Sequence, residues 1–195
     1  MTLTEKHIAY ANNCRSMFVG QTIRAVMYGE VKIFADAEGL DIKAEPHYNT
    51  RYSDVDTVDL SVCFKTDDTN VCVFWDNTFI CYGLRSKPLD VSATTNDYEQ
   101  KWDVSAEQKW ASVIGHKIVD FNIIWSETWT SNPDGSNKVY TTYPQTFEMQ
   151  TENGKTIILS ASEFICGEAD EIYPLMDNIL VTTNRDLAKT LKMIA

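Results

Sequence analysis

A chain of 195 residues, 44% hydrophobic and 23% charged, has the composition of a globular protein that can bury a core without disulfides or metals. Seventeen basic against 28 acidic residues leave a net charge of −11, spread over both halves of the chain. This acidity excludes a basic nucleic-acid-binding surface and an electrostatic contact with anionic membranes. It is consistent with solubility or with a basic protein partner.

The first half predicts a helix followed by strands. A helical pattern covers residues 4–18, with Thr4 as N-cap, and Gly20 follows as the helix stop. Apolar and polar residues then alternate over residues 58–65, as in a strand with one buried face. Residues 67–70 read as a hairpin turn that leads into a second strand.

The second half repeats this order. A helix is predicted over residues 105–114, with Ser105 as N-cap, Gln108 completing a capping box, and Gly115 as the stop. The strands that follow are separated by turns at residues 133–135 and 152–154, and a short helix begins at about Asp186.

Similar segments recur in the same order in the two halves, which predicts an internal duplication. FKTDDTNVCVFWDNTFIC at residues 64–81 aligns without a gap with MQTENGKTIILSASEFIC at residues 149–166. SMFVGQTIRAV at 16–26 likewise matches ASVIGHKIVDF at 111–121. We therefore expect an α+β fold of two tandem similar lobes, each a helix packed on an antiparallel β-meander. The lobes would comprise residues 1–100 and 101–195 and pack closely, as one continuous domain or nearly so.

The five cysteines are expected to be reduced: Cys14, Cys63, Cys72, Cys81 and Cys166. An odd count without a C-x-x-C pair argues against a disulfide framework and against a zinc ribbon. The N-terminus shows no basic segment followed by an apolar one, so no export signal is visible. These features favour a cytoplasmic protein.

No catalytic or metal-binding motif is visible, and we expect neither catalytic residues nor a cofactor. His116 and Asp120 would share one face of a strand and are the nearest approach to an acid–base pair. Asp54, Asp56 and Asp59 alternate like calcium ligands. They lack the glycine and the glutamate that an EF-hand loop requires.

The second half also resembles a known family over roughly residues 110–181. Its GHKI strand, its tryptophan-bearing hairpin, the segment YPQTFEMQTENGKTIILSASE and the final DNILV strand are similar to small α+β immunity proteins of bacterial polymorphic toxin systems. The first half departs from this pattern by lacking the Asn-Gly turn and by carrying extra residues. The resemblance implies a non-catalytic antidote that covers the active site of a cognate toxin or locks its fold.

We therefore expect stoichiometric binding to a cognate toxin, and a basic active-site cleft on the toxin would complement the acidic chain. Two places could form the interface: the acids Asp54, Asp56 and Asp59, which would steer association, or Trp125, Trp129 and Tyr140, which would anchor it. Two alternatives stay open. One is an enzyme or small-ligand binder that uses the cleft between the lobes, and the other is an interaction protein without a toxin.

Overall fold

Two five-stranded antiparallel sheets and three helices make up the fold in the computed structural model, which describes residues 3–32, 45–90, 93–94, 97–164 and 171–195. The helices are α1 Glu5–Phe18, α2 Gln108–Ala111 and α3 Arg185–Thr190. The strands are β1 Ile23–Val31, β2 Val55–Val58, β3 Ser61–Thr66, β4 Val71–Asp76, β5 Gly83–Pro88, β6 Glu99–Asp103, β7 Ile118–Thr130, β8 Val139–Thr151, β9 Thr156–Phe164 and β10 Ile172–Thr182.

Each sheet contains one four-stranded meander and one added strand. The first sheet has the order β5-β4-β3-β1-β6, and the second has the order β2-β10-β9-β8-β7. The added strands cross between the halves of the chain, since β2 pairs with β10 and β6 pairs with β1. The predicted α+β class with antiparallel meanders is confirmed. The division of the chain at residue 100 stays a prediction.

Both sheets and the first two helices contribute to one hydrophobic core. At its centre the indole N–H of Trp110, in α2, donates to the hydroxyl of Tyr28, in β1, over 2.9 Å, and both side chains are fully buried. A smaller cluster lies on the outer face of the second sheet, where α3 packs against Ile158 and Leu180. Among the helices that the structure describes, none combines the length and apolarity needed to span a membrane.

The starts of β1 and β7 meet in a short antiparallel contact centred on the bridge between Thr22 and Lys117. The hydrogen bonds of this contact are reciprocal: each bond from residues 20–23 to residues 115–118 has an equivalent bond in the opposite direction. Four backbone N–H groups donate to carbonyls across it: Gly20 to Ile118 (2.8 Å), Gly115 to Ile23 (2.8 Å), Ile23 to His116 (3.1 Å) and Ile118 to Gln21 (2.9 Å).

Replacing Gly20 or Gly115 by alanine is expected to lower the free energy of unfolding by about 1–2 kcal/mol each. Both glycines have positive φ, +93° and +84°, and an added Cβ would meet nothing within 4 Å, so the cost is the backbone conformation alone. Urea denaturation of each variant measures this loss in the free energy of unfolding. Gly20→Asn should cost less than Gly20→Ala, because asparagine tolerates this region; equal costs would contradict the assignment.

Several local predictions need correction. Thr4 is the N-cap of α1 as predicted, but α2 begins only at Gln108, after Glu107. The hydroxyl of Ser105 instead accepts from the N–H of Val26, 2.9 Å away, because β6 has just ended beside β1. The predicted strand over residues 58–65 is divided between the two sheets, with β2 ending at Val58 and β3 beginning at Ser61.

The prediction that all five cysteines are reduced is wrong. Cys63 and Cys72 form a disulfide because they lie directly opposite each other on the neighbouring strands β3 and β4. Cys14 and Cys81 are free thiols, and Cys81 follows β4 outside any strand. Cys166 lies outside the described residues.

Candidate functional site

A two-stranded arm, residues 126–142, is formed by the end of β7, the start of β8 and their connection. β9 pairs with β8 only between Thr146 and Gln150, so no third strand accompanies the arm among the described residues. A turn closes it at the predicted place, where Gly135 has φ +78° and its N–H donates to the carbonyl of Asn132 over 2.9 Å. Residues 132–140 are all exposed.

Trp129 and Tyr140 lie side by side on this arm as directly opposed cross-strand partners. Their side chains are 49% and 59% exposed, and Val139, which precedes Tyr140 and points to the opposite face of the arm, is 59% exposed. The ammonium of Lys138 lies 4.2 Å from the centre of the Trp129 ring, an arrangement in which the ring attracts a cation. Exposed large apolar side chains grouped in this way are typical of interaction surfaces.

Trp125 occupies a different position, at the base of the arm. Its ring packs edge-on against His7 in α1 and against Phe79, with centroids 4.8 Å and 5.3 Å away. Trp125 therefore fixes the arm to α1 and to the loop after β4. Of the three aromatic residues singled out from the sequence, Trp129 and Tyr140 share an exposed face, and Trp125 supports it.

The structure does not bring Asp54, Asp56 and Asp59 together into one acidic surface. Asp54 accepts from the side-chain amide of Asn184 over 2.9 Å, at the start of α3. Asp59 accepts from the N–H of Val31 over 3.0 Å.

Asp56 is 1% exposed, so it is not available to a partner. Its carboxylate pairs with the ammonium of Lys109 and accepts from the hydroxyl of Tyr28 over 2.7 Å. Burial raises the pKa of Asp56, and the hydrogen bonds from Lys109 and Tyr28 oppose that rise. Asp56 therefore links β2, β1 and α2 inside the protein.

A buried acidic group that the sequence did not single out lies at the end of β1. Glu30 is fully buried, and its Oε2 accepts from the backbone N–H of His47 over 3.2 Å. Its Oε1 has no hydrogen-bond partner. Burial raises the pKa of Glu30 to about 7, the contacts with His47 oppose the rise, and the charge of Asp59 adds to it.

His47 connects Glu30 with Asp59. Its Nε2 lies 2.8 Å from Asp59 Oδ2, and its Nδ1 lies 3.6 Å from Glu30 Oε2. Burial opposes protonation, but the hydrogen bond to Asp59 and the charge of Glu30 outweigh it and raise the pKa of His47. No local sequence signal marks this cluster, because the three residues come from three separate segments.

The acid–base pair considered from the sequence is not formed. His116 Nδ1 lies 3.6 Å from Glu152 Oε1, and Asp120 instead pairs with Arg15 at 2.5 Å. Within the described ranges, no group of three or more histidine, cysteine, aspartate or glutamate side chains could hold a metal ion.

No family model, curated protein or solved structure matches the chain. A functional proposal for this protein therefore rests on the exposed arm and on the buried polar groups.

Proposed function

We propose that this is a non-catalytic binding protein that neutralises a cognate bacterial toxin by stoichiometric binding through the arm. The observation that carries the proposal is the exposed Trp129–Tyr140 pair, presented on a strand pair whose outer part no other described strand joins. Tryptophan and tyrosine supply most of the binding energy in many protein interfaces. The resemblance of residues 110–181 to immunity proteins indicates the kind of partner.

Charge complementarity favours a toxin with a basic active-site cleft. The net charge of −11 speeds association with a basic protein. On the arm itself, Glu127 is exposed two residues before Trp129 on the same strand and opposite Thr142. An acid beside two aromatic anchors suits a partner surface that combines apolar contacts with lysine or arginine.

We also propose that the chain arose by internal duplication, and that the second copy carries the binding surface. The common meander order and the reciprocal hydrogen bonds between residues 20–23 and 115–118 support the duplication. The hairpin of the second half is longer, because β7 and β8 have 13 residues each whereas β1 has 9 and β3 has 6. The additional residues of β7 and β8 form the arm.

A basic active-site cleft would suit a toxin that acts on nucleic acid, and neutralising such a toxin would place the protein in the cytoplasm. The Cys63–Cys72 bond speaks against this location, because structural disulfides are uncommon in the cytoplasm.

Trp129→Ala is expected to weaken binding of the product of the adjacent gene by about 30-fold or more, the effect of losing an interface anchor. The two proteins are co-expressed and purified, and the affinity is measured by calorimetry. Val119→Ala is the matched control, because Val119 is an exposed apolar residue elsewhere on the same strand.

Three results would contradict the proposed function. The first is that the product of the adjacent gene does not bind. The second is that it binds equally tightly to the Trp129→Ala and Tyr140→Ala variants. The third is that the purified protein turns over a substrate and loses that activity on His116→Ala.

A further inference from the structure

A cleft of about 400 Å³ opens where the base of the arm meets the start of α1. One wall is the arm itself, with Glu127, Tyr140 and Thr142. The opposite wall is formed by the first turn of α1 and by Phe79, in the loop after β4. The cleft adjoins the Trp129–Tyr140 face, since it shares Tyr140 with that face, and it has room for a side chain of a bound partner.

Contacts of His7 hold the two walls of the cleft together. The side chain of His7 is buried, and its Nε2 lies 3.3 Å from the carbonyl oxygen of Thr142 on the arm. Its Nδ1 lies 2.6 Å from the hydroxyl of Thr4, and its ring stacks on Phe79 with centroids 5.1 Å apart. The cleft is therefore formed before a partner arrives, which lowers the cost of binding.

Glu127 supplies an unpaired negative charge on the arm wall. Its side chain is exposed, and within the part of the chain that the structure describes it has neither a hydrogen bond nor an ion pair. Glu127 lies opposite Thr142, and Trp129 lies opposite Tyr140, so Glu127 and Tyr140 are diagonal neighbours on one face of the arm. A free carboxylate beside an exposed aromatic ring offers two attractions to the same cation.

The positive charge of the cleft is held on the opposite wall. The ammonium of Lys6 donates to the carbonyl of Thr78 over 2.8 Å and lies 4.5 Å from the centre of the Phe79 ring. Lys6 therefore has partners on its own side of the cleft. Its charge disfavours a cation beside α1 and directs one towards Glu127 on the arm.

We propose that this cleft takes an arginine side chain of the partner, whose guanidinium pairs with Glu127 and stacks on Tyr140. This inference rests on the proposed function, and it names the group of the toxin that the base of the arm recognises. A guanidinium is planar and can bond to a carboxylate while it lies against an aromatic ring, whereas an ammonium is a point charge. The net charge of −11 attracts a group of the same sign.

The first experiment needs no toxin. Nα-acetyl-arginine amide is titrated into the whole ¹⁵N-labelled protein and followed by NMR, and Nα-acetyl-citrulline amide, which has a similar shape and no charge, is the matched probe. The arginine probe should shift the signals of Glu127, Tyr140 and Thr142 and should bind at least about threefold more tightly than the citrulline probe. Glu127→Gln should abolish this difference.

Two further variants locate the charge that matters. Glu5→Gln removes an acid from an exposed position in α1 that does not line the cleft, and it should leave the affinity for the arginine probe unchanged. Lys6→Met removes the charge of the opposite wall and should not weaken binding of this probe. If Lys6→Met weakens it as much as Glu127→Gln does, the cleft does not select a cation and the proposal is wrong.

The complex with the product of the adjacent gene separates this inference from the proposed function. Glu127→Gln should weaken that complex about tenfold, the effect of losing a charged hydrogen bond, and should reduce its dependence on salt. A complex that is weakened by Trp129→Ala but not by Glu127→Gln leaves the proposed function standing and overturns the arginine site. If the product does not bind while the arginine probe still depends on Glu127, the proposed function fails and the arginine site stands.

Three results with the small probes would also overturn the arginine site. One is that the arginine probe causes no localised shifts at millimolar concentration. Another is that the citrulline probe binds as tightly, which means that the cleft does not recognise a positive charge. The last is that the shifts are the same in Glu127→Gln, which means that the probe binds elsewhere.

Discussion

Replacing Asp56 with alanine is expected to lower the free energy of unfolding by about 3–4 kcal/mol, because it breaks a buried ion pair and leaves one charge behind. The ammonium of Lys109 is itself buried and would lose its closest partner. The hydroxyl of Tyr28 would lose its acceptor. Glu107, 3.5 Å from Lys109, remains as a weaker partner and keeps the cost from rising further.

Urea denaturation of three variants separates the ion pair from other effects. Asp54→Ala is the control, since it removes a single hydrogen bond at a half-buried position and should cost about 1 kcal/mol or less. The double replacement Asp56→Leu with Lys109→Met removes both charges and should recover most of the stability. If the double variant is as unstable as Asp56→Ala, the unpaired charge is not the cause.

Asp56 also illustrates what the sequence could not reveal. In the pattern of Asp54, Asp56 and Asp59, all three acids look like residues of a solvated loop. Asp56 is buried because β2 leaves the first meander and pairs with β10, and because Lys109 reaches it from α2. Both partners are distant in the chain, so no local pattern of hydrophobicity indicates them.

Features set by local chemistry were predicted correctly. The cap of α1 at Thr4, the helix stop at Gly20 and the turn at residues 133–135 follow from residues that favour those conformations. Gly115 has the positive φ of a helix stop, but the prediction that it ends the second helix is wrong, because α2 already ends at Ala111. Features set by pairing between distant strands were missed. The pairings of β2 with β10 and of β6 with β1 join residues far apart in the chain, and the Cys63–Cys72 disulfide depended on the register of β3 and β4.

In the candidate site, too, local sequence predicts some features, and contacts with distant segments decide the others. Trp125 and Trp129 are four apart in one strand, which places them on a common face when the strand is regular. Their exposure differs because α1 and Phe79 cover Trp125, whereas the Trp129 side chain is 49% exposed and its ring contacts the ammonium of Lys138.

The free energy of unfolding is expected to fall as the pH rises from 5 to 8, by up to about 3 kcal/mol, because of Glu30. Its pKa is about 7 in the folded protein against an ordinary value of 4.5, so the folded state holds the proton more tightly than the unfolded state. The resulting stabilisation is complete below pH 4.5 and is lost as the pH passes 7. The raised pKa of His47 acts in the same direction.

Glu30→Gln keeps the shape of the side chain and removes its titration, so it should flatten most of this dependence. The variant should be more stable than the wild type at pH 8, where the wild-type carboxylate is charged and buried with one oxygen unpaired. The remaining slope belongs to His47 and its hydrogen bond to Asp59. Glu127→Gln, at an exposed position on the arm, is the control and should keep the wild-type slope. Urea denaturation at pH 5, 6, 7 and 8 measures all three proteins, and a wild-type stability that is constant or rising over this range would show that Glu30 is not held protonated by its burial.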